Sequence, residues 1–164
     1  MRTLQRVHVL AIALAAFACG AHAQERRNAF DDPFMVVTKA LPGCPVPAPP
    51  GFTEEEVRKE AHVRAQHGTS CYRVGRCRLP NSYLYDKEII PRVVQYIQMD
   101  GRFDDTSIWV LGERRIVTLM GCVQTRQQAD DLERTVMLVD DVMGVVNQLV
   151  VGTQAAPRYR LAGQ

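Results

Sequence analysis

The stretch Ser107-Ile-Trp-Val-Leu-Gly-Glu-Arg-Arg-Ile-Val-Thr-Leu-Met-Gly-Cys-Val123 decides the fold of this chain. Two apolar runs, 107–111 and 116–123, lie on either side of the short polar segment 112–115. Runs rich in β-branched and aromatic residues around a short polar connection are typical of a β-hairpin. The stretch therefore predicts two antiparallel strands joined by a tight turn.

Alternation along this hairpin divides its side chains between two faces. One face receives four apolar side chains suited to a helical layer: Ile108, Val110, Val117 and Leu119. The opposite face receives Trp109, Ile116, Met120 and Cys122. An apolar face of this composition should be covered by protein or should bind something. We therefore predict that Trp109, Ile116 and Met120 form a binding face or a docking face for another part of the chain.

Helical patterns flank the hairpin on both sides. Apolar residues recur at helical spacing upstream of Gly101, and Pro91 places the start of that helix near 86–90. Downstream, Thr125 and Gln128 predict a capping box for a second helix. A last strand is predicted over 145–151. The sequence thus predicts an α+β fold of order αββαβ, a three-stranded sheet with two helices on one face.

An N-terminal extension, residues 24–81, precedes this module and is called the arm. Residues 24–52 hold six of the nine prolines, which predicts an extended linker or tether, in its simplest form a disordered spacer. Within 53–81, Thr53 and Glu56 predict a capped helix that ends at Gly68. Its thin apolar stripe requires a docking partner. A basic loop follows with three arginines, Arg73, Arg76 and Arg78. The module itself is predicted over 82–152, and residues 153–164 are predicted to be a flexible tail.

Residues 1–23 have the composition of a secretory signal peptide. Arg2 and Arg6 precede an apolar run over 7–18, and Ala21-His22-Ala23 follows as a small-x-small cleavage site. The run is too short to span a bilayer, and no later stretch is apolar enough to do so. We therefore expect a mature protein that begins at Gln24, in the periplasm or on the periplasmic face of the outer membrane.

Lipid attachment at Cys19 is an alternative to cleavage after Ala23. However, the bulky Phe17 stands where lipoprotein signals favour small residues. Four cysteines remain in the mature chain: Cys44, Cys71, Cys77 and Cys122. An even number in an oxidising compartment predicts disulfides, and three full pairings are open. We hypothesise that Cys122 bonds to Cys71 or Cys77 and ties the arm over the sheet, with the remaining arm cysteine bonded to Cys44.

Several functional classes are disfavoured by the composition. Removal of the signal leaves 18 basic and 18 acidic residues, so no basic footprint for nucleic acid is present. His62 and His67 are five residues apart and do not share a helix face, and the spacing of Cys71 and Cys77 is wider than in zinc knuckles. We predict neither a metal site nor a cofactor, and no enzymatic activity, because no phosphate loop, dinucleotide turn or catalytic triad is found.

Residues 86–151 resemble a BON domain, a module of bacterial envelope and osmotic-stress proteins. The resemblance rests on Asp100-Gly-Arg-Phe-Asp104, Ile116-Val-Thr-Leu-Met-Gly-Cys-Val123 and Val142-Met-Gly-Val145, in this order and in a single copy. It implies the αββαβ fold and a non-catalytic protein that binds phospholipid surfaces or envelope partners. Residues 82–152 carry a net charge of −4, however, which does not favour adhesion to anionic lipid by charge alone.

The resemblance and the signal together imply a function. We expect an envelope protein that binds phospholipid or an envelope partner and supports envelope integrity or stress tolerance. The alternative is a structural adaptor subunit of an envelope assembly, connected through the N-terminal arm. An adaptor should remain in the soluble fraction when vesicles are floated, whereas a lipid-binding protein should not.

Overall fold

The computed structural model describes residues 25–163, so the predicted signal peptide lies outside the described residues. Its strands are β1 (Phe34–Lys39), β2 (Ser107–Glu113), β3 (Ile116–Val123), β4 (Gly144–Asn147) and β5 (Val150–Val151). Its helices are α1 (Glu54–Gly68), the short α2 (Ser70–Arg73), α3 (Asp86–Asp100) and α4 (Arg126–Met137), with a 3₁₀ turn over Ser82–Tyr85. No helix in this part of the chain has the length and apolar character needed to cross a membrane.

The sheet is mixed and confirms the predicted α+β class, but it has five strands instead of the predicted three, because β1 joins one edge and the closing strand is divided into β4 and β5. Its strands follow the order β1-β2-β3-β4, and β5 pairs with β3 next to β4. β2 and β3 form the predicted antiparallel hairpin, while β4 and β5 run parallel to β3. The closing strand is divided into β4 and β5 at residues 148–149. At this break the Leu149 amide donates a hydrogen bond to the side-chain Oδ1 of Asn147 at 3.1 Å.

The main core lies between the sheet and the helices α3 and α4. The four hairpin side chains predicted to face helices are all fully buried in it: Ile108, Val110, Val117 and Leu119. The apolar stripes of α3 and α4 supply the other side of this core, including Ile90, Ile97, Leu132 and Val136. Two amphipathic helices thus cover one face of the sheet, as the periodicity predicts.

The predicted linker contributes a strand, so its description as a disordered spacer is wrong. Residues 34–39 pair with β2 in antiparallel orientation, with Phe34 opposite Leu111. The prolines lie on either side of this run and leave its amides free to pair. Gln98 of α3 donates a hydrogen bond from Nε2 to the Val37 carbonyl at 3.0 Å, which occupies part of the outer edge of β1.

Helix α1 begins after the Thr53 cap and ends at Gly68, as predicted. Thr53 and Glu56 form both hydrogen bonds of the capping box, at 3.4 and 2.9 Å. The sequence suggests that Gly68 ends the helix by adopting a left-handed conformation, but Gly68 is itself helical and buried, so this detail is wrong. Its role is close packing, because a Cβ at this position would lie 2.5 Å from the Asn81 side chain.

The C-terminal segment is ordered against the arm, which corrects the prediction of a flexible tail. The Ala48 amide donates to the Arg160 carbonyl at 2.7 Å, and the Ala162 amide donates to the Val46 carbonyl at 3.0 Å. Tyr159 packs on the sheet between these contacts. The arm and the tail therefore hold one another in place.

Gly121 lies where the hairpin strands approach most closely. Its φ is +119°, a backbone conformation that residues other than glycine rarely adopt. A Cβ at this position would overlap the Ser107 carbonyl oxygen of β2. Glycine is therefore required here by the backbone of the neighbouring strand.

The hairpin turn is stabilised by Asp86 at the start of α3. Arg114 and Arg115 both have left-handed backbones, with φ of 55° and 67°. The buried Asp86 carboxylate accepts both of their amide protons at 2.7 Å. Burial nevertheless raises the pKa of Asp86 from 3.8 to about 6, and the two backbone hydrogen bonds oppose this effect only in part.

This raised pKa predicts a pH dependence of stability. The folded protein holds the Asp86 proton more tightly than the unfolded chain does. The contribution of Asp86 to the unfolding free energy is therefore largest below pH 3.8, and it is lost as the pH rises through about 6. Asp86→Asn should flatten the profile over this interval, as measured by urea unfolding followed by circular dichroism. The exposed Asp104→Asn is the control. If Asp86→Asn leaves the slope of unfolding free energy against pH unchanged, Asp86 is not the group responsible for this pH dependence.

Candidate functional site

The face predicted for binding or docking is covered by the arm and the tail. Trp109 and Met120 are each only 5% exposed, and Cys122 is fully buried. Leu41, Cys44 and Tyr159 pack against them. The Tyr159 hydroxyl donates to the Pro45 carbonyl at 2.9 Å, which fixes the tail over the arm. Ile116 lies apart from this group, half-buried at the start of β3, where it lines a separate cleft.

The arm is tied to this face by a disulfide between Cys44 and Cys122. The hypothesised bond from Cys122 to Cys71 or Cys77 is wrong, because those two cysteines are bonded to each other. Cys71 lines the same cleft as Ile116, which lies at the turn end of β3. Cys122 is six residues further along that strand, roughly 20 Å away at 3.3 Å per residue. The segment after β1 instead passes Ser107, which is paired with Cys122, and so brings Cys44 within reach.

Helix α1 docks through an arginine rather than through its apolar stripe. Arg64 is only 7% exposed and donates two hydrogen bonds of 2.7 Å to Asp32. It also pairs with Glu60 at 2.9 Å. Its guanidinium lies over the rings of Phe30 and Tyr83, at 4.1 and 4.2 Å from their centres. The Glu60/Arg64 spacing is visible in the sequence, but it predicts only a surface ion pair.

The basic loop is closed by the Cys71–Cys77 disulfide and exposes two apolar side chains. Tyr72 and Val74 are 50% and 64% exposed. Arg73 and Arg76 of the same loop are also exposed, and neither forms an ion pair with another residue of the described range. We call residues 71–77 the disulfide loop. It presents apolar and cationic groups together on a constrained backbone.

Arg78, predicted as a third member of the basic loop, is placed differently. It forms an ion pair with Glu88 and lies 3.9 Å from Asp141. Its guanidinium also lies 5.0 Å from the centre of the Tyr85 ring. Arg78 therefore joins the loop to α3, whereas Arg73 and Arg76 remain available to a ligand.

A cleft of about 360 Å³ lies behind the disulfide loop, between the loop and the hairpin turn. Its cationic lining residues are Arg76 and Arg114, and His67 lies beside them in the lining. Ser70 and Ser82 add hydroxyl groups, and the apolar walls are Ile116 and Met143. No aspartate or glutamate is among its lining residues. We call this the cationic cleft.

A second apolar surface borders the outer edge of β4, which has no strand partner within residues 25–163. Its exposed side chains are Met137, Leu138, Met143, Val146 and Val151. The acidic pairs at 130–131 and 140–141 lie in the same part of the chain. Three of these aspartates are already in ion pairs: Asp130 with Arg126, Asp131 with Arg134 and Asp141 with Arg115.

The residues considered for metal binding do not converge. His62 and His67 are both exposed on α1, and Cys71 and Cys77 are consumed by their disulfide. Across residues 25–163, no group of three or more histidine, cysteine, aspartate or glutamate side chains is placed to hold a metal ion.

These features define a small α+β module extended by a covering arm. Residues 85–153 match the model of the BON domain family. The chain therefore contains a BON domain, in a single copy, which confirms the resemblance seen in its sequence. Proteins with this domain are typically associated with the envelope, and the family is generally non-enzymatic. Comparison with curated proteins and with solved structures gave no match.

Proposed function

We propose that this protein is a non-catalytic BON-domain protein of the periplasm, or of the periplasmic face of the outer membrane, that binds phospholipid surfaces. In this role it supports envelope integrity or stress tolerance. The observation that carries the proposal is the disulfide loop, which exposes Tyr72 and Val74 together with Arg73 and Arg76, two arginines without an ion pair among the described residues. In this proposal the protein acts by binding the lipid surface and catalyses no reaction.

The chemistry of this loop suits a membrane interface. Tyrosine is favoured at the level of the lipid headgroups, where its ring is partly buried and its hydroxyl stays wet. Each arginine near an anionic surface contributes about 1 kcal/mol of attraction. The disulfide restricts the loop before binding, so less conformational entropy is lost on contact. The loop thus supplies the positive charge that residues 82–152, with a net charge of −4, lack.

Flotation with vesicles tests this proposal. The mature protein should float with vesicles that contain phosphatidylglycerol, and less with vesicles of phosphatidylcholine alone. Tyr72→Ser combined with Val74→Ser should reduce binding by about tenfold or more, since it removes most of the apolar area of the loop. The matched control is Leu138→Ser, which removes a side chain that is 73% exposed on the other apolar surface. Equal loss for the loop variant and the control would contradict the proposal.

The structural adaptor is a second candidate, and the β4 edge favours it. A free edge bordered by exposed Leu138 and Val146 resembles a surface for strand addition by another protein. In that case the wild type should stay in the soluble fraction during flotation. Leu138→Ser, rather than the loop variant, should then reduce co-purification with envelope proteins.

A further inference from the structure

We infer that the cationic cleft binds the phosphate group of an anionic phospholipid headgroup while the disulfide loop lies in the membrane interface. This inference rests on the proposed function and names the ligand and the site that it would use. The site is formed by the arm and the hairpin turn together. It therefore uses residues on both sides of the boundary at residue 85 where the BON domain begins.

The arginines around the cleft differ in whether they have acidic partners. Nearby arginines that point elsewhere have acidic partners: Arg78 pairs with Glu88, and Arg115 lies 3.3 Å from Asp141. Arg76 and Arg114, which line the cleft, have no ion pair among the described residues. The carboxylates of this region are thus consumed outside the cleft, and the cleft retains its positive charge. Arginine binds phosphate oxygens well because its planar guanidinium can donate two parallel hydrogen bonds.

Both arginines are carried on a restrained backbone. The Arg114 amide is fixed by the Asp86 carboxylate at 2.7 Å in the left-handed turn. The Arg76 amide donates to the Cys71 carbonyl at 2.9 Å inside the disulfide loop. The backbone therefore loses little conformational entropy when an anion binds, whereas the two exposed side chains still lose rotamer freedom. The two side chains come from distant parts of the sequence, which is why no linear motif indicates the site.

The other lining groups are compatible with a lipid headgroup. Ser70 and Ser82 line the cleft, but their hydroxyls already donate to the His67 carbonyl at 3.0 Å and to the Cys71 sulfur at 3.3 Å. His67 adds a third nitrogen-bearing side chain. Ile116 and Met143 form apolar walls that suit the glycerol part of a lipid. Tyr72 and Val74 project from the same loop that carries Arg76, so the apolar contact with the membrane and the phosphate contact are adjacent along the chain. A small soluble anion would use the arginines but not these apolar groups.

The test compares three arginine variants on vesicles of phosphatidylglycerol in phosphatidylcholine. Arg114→Gln and Arg76→Gln should each reduce binding roughly tenfold or more, because each removes charged hydrogen bonds to phosphate. The control is Arg58→Gln, which removes an exposed charge from α1 outside the cleft. In parallel, glycerol 3-phosphate is titrated into the isotope-labelled mature protein, and the amide signals of Ser82 and Gly144 should shift.

The outcomes separate this inference from the proposed function. If the wild type floats and Arg114→Gln and Arg76→Gln bind no less well than Arg58→Gln, the cleft is not the headgroup site, although lipid binding by the loop stands. If the wild type does not float at all, both ideas fail. Amide shifts with glycerol 3-phosphate in that second case would indicate a site for free phosphate instead of lipid. Selective loss for Arg114→Gln and Arg76→Gln, with shifts at Ser82 and Gly144, supports the inference.

Discussion

Gly121→Ala should lower the unfolding free energy by more than about 4 kcal/mol, which is beyond the range of ordinary substitutions. The new Cβ would overlap the Ser107 carbonyl oxygen, and the backbone at φ +119° would be strained in addition. Ser107 cannot shift easily, because its hydroxyl bonds to both the amide and the carbonyl of Leu41, at 2.9 and 3.2 Å. Urea unfolding followed by circular dichroism measures the effect.

The matched control for this prediction is Gly144→Ala on β4. Its φ is not positive, and the nearest atom to a new Cβ is Cγ1 of Ile116, at an ordinary contact distance of 3.9 Å. We expect this control to change the unfolding free energy by less than about 1 kcal/mol, as is usual away from strained or tightly packed positions. Similar losses for the two alanine variants would show that loss of glycine as such, rather than the close approach at Gly121, is responsible.

The second large effect is expected from removal of the Cys44–Cys122 disulfide. The bond closes a loop of 78 residues, and in the chain-entropy model its loss costs roughly 4.5 kcal/mol. Cys44→Ala combined with Cys122→Ala should also loosen the arm over Trp109. Because Trp109 is the only tryptophan in the chain, a red shift of its fluorescence would report exposure of this face directly.

The other disulfide provides the comparison for this experiment. Cys71 and Cys77 are only six residues apart, so in the same model their bond contributes roughly 2 kcal/mol. Their replacement by alanine should leave the fluorescence of Trp109 unchanged, because they lie away from the covered face. A larger loss of stability for this pair than for Cys44 and Cys122 would contradict the assignment of the arm as the covering element.

The BON module was predictable from the sequence because its elements are encoded locally. The alternation of Ile108, Val110, Val117 and Leu119 places the hairpin face, and the helical spacing on either side places α3 and α4. Each of these patterns depends on neighbours within a few residues. The capping box at Thr53 was predictable for the same reason.

The arm could not be placed in this way because its contacts are distant in sequence. The strand β1 is hidden among prolines, and its pairing depends on an edge that β2 provides more than 60 residues later. Arg64 is indistinguishable from a surface arginine until Asp32, Phe30 and Tyr83 surround it. The pairing of Cys122 follows from the path of the chain past Ser107. The cationic cleft likewise exists only once the disulfide loop meets the hairpin turn.

The pairing of β1 with β2 has a consequence for the speed of folding. The hairpin closes through a two-residue turn, so its ends meet with little loss of loop entropy. Phe34 and Leu111, by contrast, can meet only after a long intervening segment has been closed. Such pairings raise the contact order, and high contact order slows folding. The arm that shields Trp109 and Met120 therefore makes this protein a slower folder than its hairpin and helices alone would be.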